Sequence, residues 1–241
     1  MGERENESAV TFLDLKWDTE FFGITCAKAI LHKSLTQQEW AKTKERFQPY
    51  RFVSIENRNS EPVNAQLIGS ETNAFLADVN IQFSKKPEAV CINQESIRIY
   101  HSMEYDSRIL EMADFAFSKF IEDPQLAQRG GADVYRQWLI NSFGKTDKFF
   151  AIDESTDING FLLYTFSGRT CIIELISVSS NLSKKGIGTN LFRAVESIAY
   201  QQGCDEMKVG TQVRNIRAIN FYHKVGCKMV ECHQIYHLWK Q

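Results

Sequence analysis

One stretch limits the folds open to this chain more than any other. The apolar run Thr170–Val178 breaks into Ser179-Ser180-Asn181-Leu182-Ser183-Lys184-Lys185-Gly186-Ile187-Gly188-Thr189, and an amphipathic pattern then runs to Tyr200. A strand, a glycine-bearing turn and a helix therefore follow one another without a linker. The run is the third of three, because Lys148–Asp153 and Asn159–Phe166 also read as strands, with turns at Glu154–Asp157 and Ser167–Gly168. Gln202-Gly203 closes the helix, since glycine suits a left-handed C-terminal cap. Asp205–Thr211 then reads as a strand, Asn215–Lys224 as a helix and Lys228–Trp239 as a last strand. Upstream, the spacing of Ile109, Met112, Ala113, Ala116, Phe117 and Phe120 predicts a helix over 109–120, and a second amphipathic helix is expected over 132–143. This order implies a mixed central sheet with helices on its faces, the α/β (α+β) class.

The first hundred residues read as strands near 10–15, 25–31, 51–56, 74–83 and 97–100, with helices at 36–47 and 63–68. They predict an additional N-terminal α/β subdomain, 1–105, ahead of a second domain, 106–241. Ala65 to Phe83 and Ala218 to His237 both run helix, turn, strand, with Gly69 and Gly226 between. A decayed internal duplication and chance resemblance both account for this.

Composition excludes several classes. A net charge of -2 gives no overall positive field to recruit nucleic acid or an acidic membrane surface. Met1–Ser8 is charged, with no basic stretch leading into an apolar one, so no signal peptide is expected. No apolar run approaches the roughly 18 residues of a membrane helix. The six cysteines show no CxxC or paired His/Cys spacing, so no metal site is expected. Free thiols without an export signal favour the cytoplasm.

The turn after Thr170–Val178 has a chemistry of its own. The first amides of a helix have no intrahelical acceptor and sit at the positive end of its dipole. Glycines at 186 and 188 let a ligand approach the backbone, and Lys184 and Lys185 add charge, which together suit phosphate. A lone GxG also serves simply as a strand-to-helix turn. Downstream comes Asn215-Ile216-Arg217-Ala218-Ile219-Asn220-Phe221-Tyr222-His223-Lys224-Val225-Gly226-Cys227. Taken in order, the two segments resemble the GNAT superfamily of N-acetyltransferases. Its coenzyme A signature is Arg/Gln-x-x-Gly-x-Gly/Ala after a strand, and its second signature is Asn-x-x-Ala-x-x-Phe/Leu-Tyr-x-x-x-Gly-Phe. The resemblance covers roughly Ile109 to the C-terminus. Ser183 departs from the first signature and Cys227 from the second.

The resemblance implies a GNAT fold in which strand 170–178 splays from strand 205–211, so that the pantetheine arm of an acyl-coenzyme A lies between them. It places the donor on Ile176, Ser177, Val178, Ser183, Lys184, Lys185, Gly186, Ile187, Gly188, Thr189 and Asn215. It also puts Tyr222 where the family has its general acid. A phenol with a pKa of about 10 can protonate a thiolate whose conjugate acid is near 8.5. By periodicity alone Tyr222 shares a helical face with Ala218, Phe221 and Val225 and reads equally as core. Glu174 is a carboxylate inside an apolar strand. It suits either a base that takes the proton of the attacking amine or an exposed-face residue. Asn215 is also a good helix N-cap.

Trp17-Asp18-Thr19-Glu20-Phe21-Phe22-Gly23 and Asp133-Val134-Tyr135-Arg136-Gln137-Trp138-Leu139-Ile140-Asn141-Ser142 look like the bacterial dTDP-fucosamine acetyltransferase group. That resemblance implies N-acylation of a dTDP-linked amino-dideoxy sugar, such as dTDP-3-amino- or dTDP-4-amino-fucose, for cell-surface polysaccharide or lipopolysaccharide biosynthesis. It implies acetyl-CoA or 3-hydroxybutyryl-CoA as donor, and it is compatible with a homodimer. Trp17, Phe21 and Phe22 offer flat faces for a base or sugar ring, and Tyr135, Trp138 and Asn141 fall on one helical face. Each of these aromatics also reads as core. Acylation of a protein N-terminus or small amine, and a non-catalytic acyl-CoA-binding regulatory module, stand as alternatives.

Overall fold

The computed structural model describes residues 8–90, 96–113, 115–154, 157–179 and 186–240. In chain order, β1 (Val10–Asp14), α1 (Lys16–Phe22), β2 (Cys26–Leu31), α2 (Gln37–Glu45), β3 (Phe52–Asn57), α3 (Pro62–Glu71) and β4 (Phe75–Lys85) come first. Then follow β5 (Ile97–His101), α4 (Ser107–Glu111), α5 (Lys119–Glu122), α6 (Pro124–Ala127) and α7 (Val134–Ser142). The chain ends with β6 (Phe149–Asp153), β7 (Gly160–Ser167), β8 (Thr170–Val178), α8 (Ile187–Gln201), β9 (Glu206–Gln212), α9 (Ile216–Lys224) and β10 (Lys228–Trp239). Two compact units interleave in sequence. The first holds Met1–Ile81, Ser118–Gly131 and Glu231–Gln241, and the second holds Gln82–Phe117 and Ala132–Val230.

In the first unit the strands run β1-β2-β3-β10. β2 and β3 are parallel, and their outer neighbours β1 and β10 are antiparallel to them. One face is apolar. Ala27, Ala29 and Leu31 of β2, Val53 and Ile55 of β3 and Leu238 of β10 pack with Trp40, Phe47, Leu67 and Ile68. The helices on this face start where the sequence dictates. Thr36 and Glu39 form a reciprocal capping box at α2, and α3 opens on Pro62, where a missing N–H costs nothing. On β3 the alternate residues Ser54 and Glu56 point to the opposite face. In register on either side of Ser54 stand Lys28 of β2 and His237 of β10.

The second unit is built on the antiparallel run β5-β6-β7-β8, with β9 parallel to β8. Ile109, Leu110 and Leu139 cover one face, over Phe150, Ile152, Phe161, Leu163 and Leu175. α8 packs against β6, β7 and β8, burying Leu191, Phe192, Val195 and Ala199 at helical spacing. Its Glu196 is fully buried and ion-paired with Lys85 and Arg193. Lys85 also donates to the carbonyl of Val225 at the C-terminal end of α9.

The helix expected over 109–120 is a correction. α4 ends at Glu111, and Ser118 opens α5 by accepting the Phe120 amide. The periodic apolar residues are shared between two cores: Ile109 belongs to the second unit, while Phe120 stacks on Phe22 in the first. Gly69 and Gly226 are not equivalent either, because Gly69 lies inside α3 and only Gly226 has a positive φ, +93°, after its helix.

Gly131 is irreplaceable for a steric reason. A Cβ there would lie 1.9 Å from the Phe120 carbonyl oxygen and 3.0 Å from that of Leu126. Gly131→Ala is expected to lower unfolding stability by at least about 2 kcal/mol in urea titrations, as overpacking does. Gly144→Ala meets no atom within 4 Å and has only its φ of +69° to strain it, so it should cost about 1 kcal/mol.

Candidate active site

The second unit holds a break in an otherwise regular sheet. β8 pairs with β9 from Thr170↔Glu206 to Ile173↔Val209 and, among the described residues, no further. Both strands nevertheless continue, β8 to Val178 and β9 to Gln212. β8 also carries a bulge. Its register with β7 passes from Tyr164↔Ile173 to Leu163↔Leu175, leaving Glu174 unpaired. The extra residue bends β8 away from a straight ladder just where its pairing with β9 stops. The result is a slot with backbone donors and acceptors along the ends of both strands.

The helix beyond β8 begins at Gly186, with φ +87°. Among the described residues no side chain caps it, so the amides of its first turn, Ile187, Gly188 and Thr189, have no side-chain acceptor there. A Cβ at Gly188 would make ordinary contact with Phe221 at 3.5 Å and Val178 at 3.6 Å. Gly188 thus joins the ends of β8, α8 and α9 at one point. Ser183, Lys184 and Lys185 lie outside the described residues. Ile176 and Val178 are half-buried at the end of β8. Ser177 donates its hydroxyl proton to the Met112 carbonyl at 2.8 Å, so its side chain can serve a ligand only as an acceptor.

α9 is held at its start by Asn215, whose side chain accepts from the Ala218 amide at 3.1 Å. Tyr222 is buried on this helix, its ring against Phe83 and Phe221 at centroid distances of 5.4 and 5.3 Å. Burial, aided by the neighbouring Cys227, pushes its phenol above the ordinary value, so it holds its proton at neutral pH. Tyr222 is at once a core residue and a protonated phenol. Phe83, which sets its ring, carries no sequence signal.

Glu174 is neither exposed nor idle. Lys148 Nζ pairs with Oε1, and Trp138 Nε1 donates to Oε2 at 3.1 Å. Trp138 is 39% exposed and stacks on Tyr135, whose hydroxyl accepts a long 3.4 Å bond from Gln212 at the end of β9. Asn141 is exposed and accepts from Gln137 at 3.0 Å, one turn along α7 from Trp138. Lys148 and Gln212 are the residues that motif reading missed here. Both stand at strand ends with no local pattern to mark them.

Trp17, Phe21 and Phe22 belong to the first unit. Phe22 is buried and stacks on Phe120, while Trp17 lies 4.9 Å from Phe21 and stays 36% exposed. The polar sheet face of that unit is also populated. Lys28 pairs with Glu56 at 2.6 Å, and His237 Nδ1 bonds Asp123 Oδ2 at 2.7 Å, which Trp239 Nε1 also reaches at 2.9 Å. Burial pushes His237 below its ordinary value despite the Asp123 carboxylate. Ser54 Oγ and His237 Nε2 are buried without a protein partner among the described residues. No group of three or more His, Cys, Asp or Glu among the described residues could hold a metal ion. Among the same residues, no helix is long and apolar enough to cross a membrane.

The sequence pattern of the Acetyltransferase (GNAT) family matches residues 108–227. A Bacillus subtilis protein, the uncharacterized YdhI, is 36% identical over 115 residues, 48% of this chain and 65% of its own. The Bacillus subtilis spore coat polysaccharide biosynthesis protein SpsD is 25% identical over 134 residues, 54% of this chain and 46% of its own. The chain thus spans less than two thirds of the length of either relative. A solved GCN5-related N-acetyltransferase from Sphaerobacter thermophilus shares the fold across 96% of this chain and 76% of its own, with a TM-score of 0.63 at 14% identity. The interrupted β8–β9 pairing, the uncapped glycine turn and the Asn215–Tyr222 helix lie within the matched segment, and over residues 108–227 the chain belongs to the acetyltransferase (GNAT) family.

Proposed function

We propose that the protein is an N-acyltransferase that moves an acyl group from coenzyme A to the amine of a nucleotide-linked amino-dideoxy sugar. The observation that carries the donor half is the end of β8–β9 pairing at Ile173↔Val209 beside an uncapped helix terminus. An extended pantetheine can be received there as an added strand, and a pyrophosphate on the amides of Ile187, Gly188 and Thr189. The backbone beyond the bulge at Glu174, from Leu175 to Val178, supplies N–H groups to steady the carbonyl oxygen as charge builds on it. Acyl-CoA supplies the activated acyl group.

The chain's residues then have separable tasks. Glu174 receives, through a water, the proton that the amine sheds as its N–C bond forms. Its two oxygens already accept from Lys148 and Trp138, and a carboxylate has lone pairs to spare for a third donor. Tyr222 delivers its proton to the thiolate as the C–S bond breaks. Asn215 holds the helix that presents it.

The acceptor half rests on different support. SpsD is by name a spore coat polysaccharide protein, and the Trp17–Gly23 and Asp133–Ser142 segments resemble nucleotide-sugar acetyltransferases. The exposed Trp138 indole, stacked on Tyr135, offers a flat face to a sugar or base. We assign the first unit, with Trp17, Phe21 and Phe22, to acceptor recognition as well, and place the reaction in the cytoplasm.

Thiol release from acetyl-CoA and 3-hydroxybutyryl-CoA, measured against dTDP-3-amino- and dTDP-4-amino-dideoxy sugars, tests both halves. At least one pair should turn over saturably, and turnover of small polyamines alone would overturn the sugar assignment. Tyr222→Phe is expected to lower kcat at saturation by about 100-fold or more, the scale of a lost general acid. A change within twofold would remove Tyr222 from that role.

A further inference from the structure

We infer that Lys148 is a positioning residue for Glu174, holding its carboxylate in one orientation beside the bulge, with Trp138 fixing the second oxygen. The inference rests on Glu174 as the proton acceptor proposed above. Three elements converge on this one carboxylate: Lys148 at the mouth of β6, Trp138 on α7 and the bulge of β8 itself. A bulge places two neighbouring side chains on one face where a regular strand would alternate them. Leu175 uses that face for packing, in the core beneath Leu139, and Glu174 projects beside it. Its side chain is only 8% exposed, and each of its oxygens has a single donor.

Stability does not explain the arrangement well. A buried ion pair contributes little net stability, because desolvation offsets the attraction, and apolar residues of similar size do as well. Leu175 already shows what apolar packing looks like there. Two donors on a carboxylate at the bulge do suit a group that must keep one orientation. The other charge facing the pair is Asp147, 3.8 Å from Lys148 Nζ. The indole of Trp138 brings a donor without a charge.

The test compares Lys148→Met, Lys148→Arg, Trp138→Phe and Glu174→Gln in the full chain. Acetyl-CoA and dTDP-4-amino-4,6-dideoxygalactose are the substrates, and the slow acceptor-independent hydrolysis of acetyl-CoA is followed in the same samples. Lys148→Met should lower kcat about tenfold or more and leave KM for acetyl-CoA within about twofold. Lys148→Arg should restore most of the rate, and Trp138→Phe should lower it less than Lys148→Met does. Lys148→Gln carries the same test if Lys148→Met does not fold. A lowered Tm with kcat unchanged, or a Lys148→Arg variant as slow as Lys148→Met, would reduce the pair to a structural tie and overturn the inference. Glu174→Gln at full rate would instead remove Glu174 as proton acceptor. If Lys148→Met were then still slow, Lys148 would act directly and not through Glu174.

Discussion

The second unit is organised by hydrogen bonds that two strands do not make with each other. A parallel ladder that stops at Ile173 and Val209 leaves backbone groups along the rest of β8 and β9. Such groups are costly to bury unpaired. The bulge at Glu174 is what makes the separation geometrically feasible, because it bends β8 while its other edge stays paired to β7. From this follows the position of α8, whose Gly188 lies in van der Waals range of Val178 at the end of β8 and of Phe221 on α9. Phe221 of α9 reaches the same region, beside Gly188.

The first unit solves a different problem. Its sheet has one dry face, where Trp40, Ile55 and Leu238 pack, and one face carrying Lys28, Ser54, Glu56 and His237. Asp123 engages that second face through His237 and Trp239. Buried ionisable groups of this kind are a poor way to gain stability and a good way to define a specific polar surface. The unit's exposed aromatics are few, and Phe22, one of three in the Trp17–Gly23 segment, is committed to packing on Phe120.

What the sequence made legible was local. The strands of the β6–β7–β8 meander, the glycine turn and the capped helix of Asn215 are each encoded in one short consecutive stretch, where periodicity, turn chemistry and capping act. The surroundings of Glu174 were not legible, because its partners lie 26 and 36 residues away on other elements. The helix expected over 109–120 failed for a related reason. Apolar spacing reports that side chains are buried, not in which core, and here Ile109 and Phe120 go to different units. The polar face of the first unit was hidden by alternation, since Ser54 and Glu56 between apolar neighbours read as solvent-facing. Tyr222 was ambiguous between core and catalysis, and it is buried without ceasing to be an acid.

Lys85 sits at the far end of the helix that carries Tyr222. Its stem lies against Gly226, its ammonium reaches the Val225 carbonyl, and its charge meets a glutamate with no exposure at all. Asn215 ties one end of α9 through a neutral hydrogen bond, and Lys85 ties the other through a pair shielded from solvent. Counter-ions screen exposed charges within about 10 Å at 0.1 M salt but reach buried pairs far less. The helix that presents the phenol is therefore insulated from the ionic strength around the protein. Added salt can weaken exposed contacts on the protein's surface without loosening this buried tie.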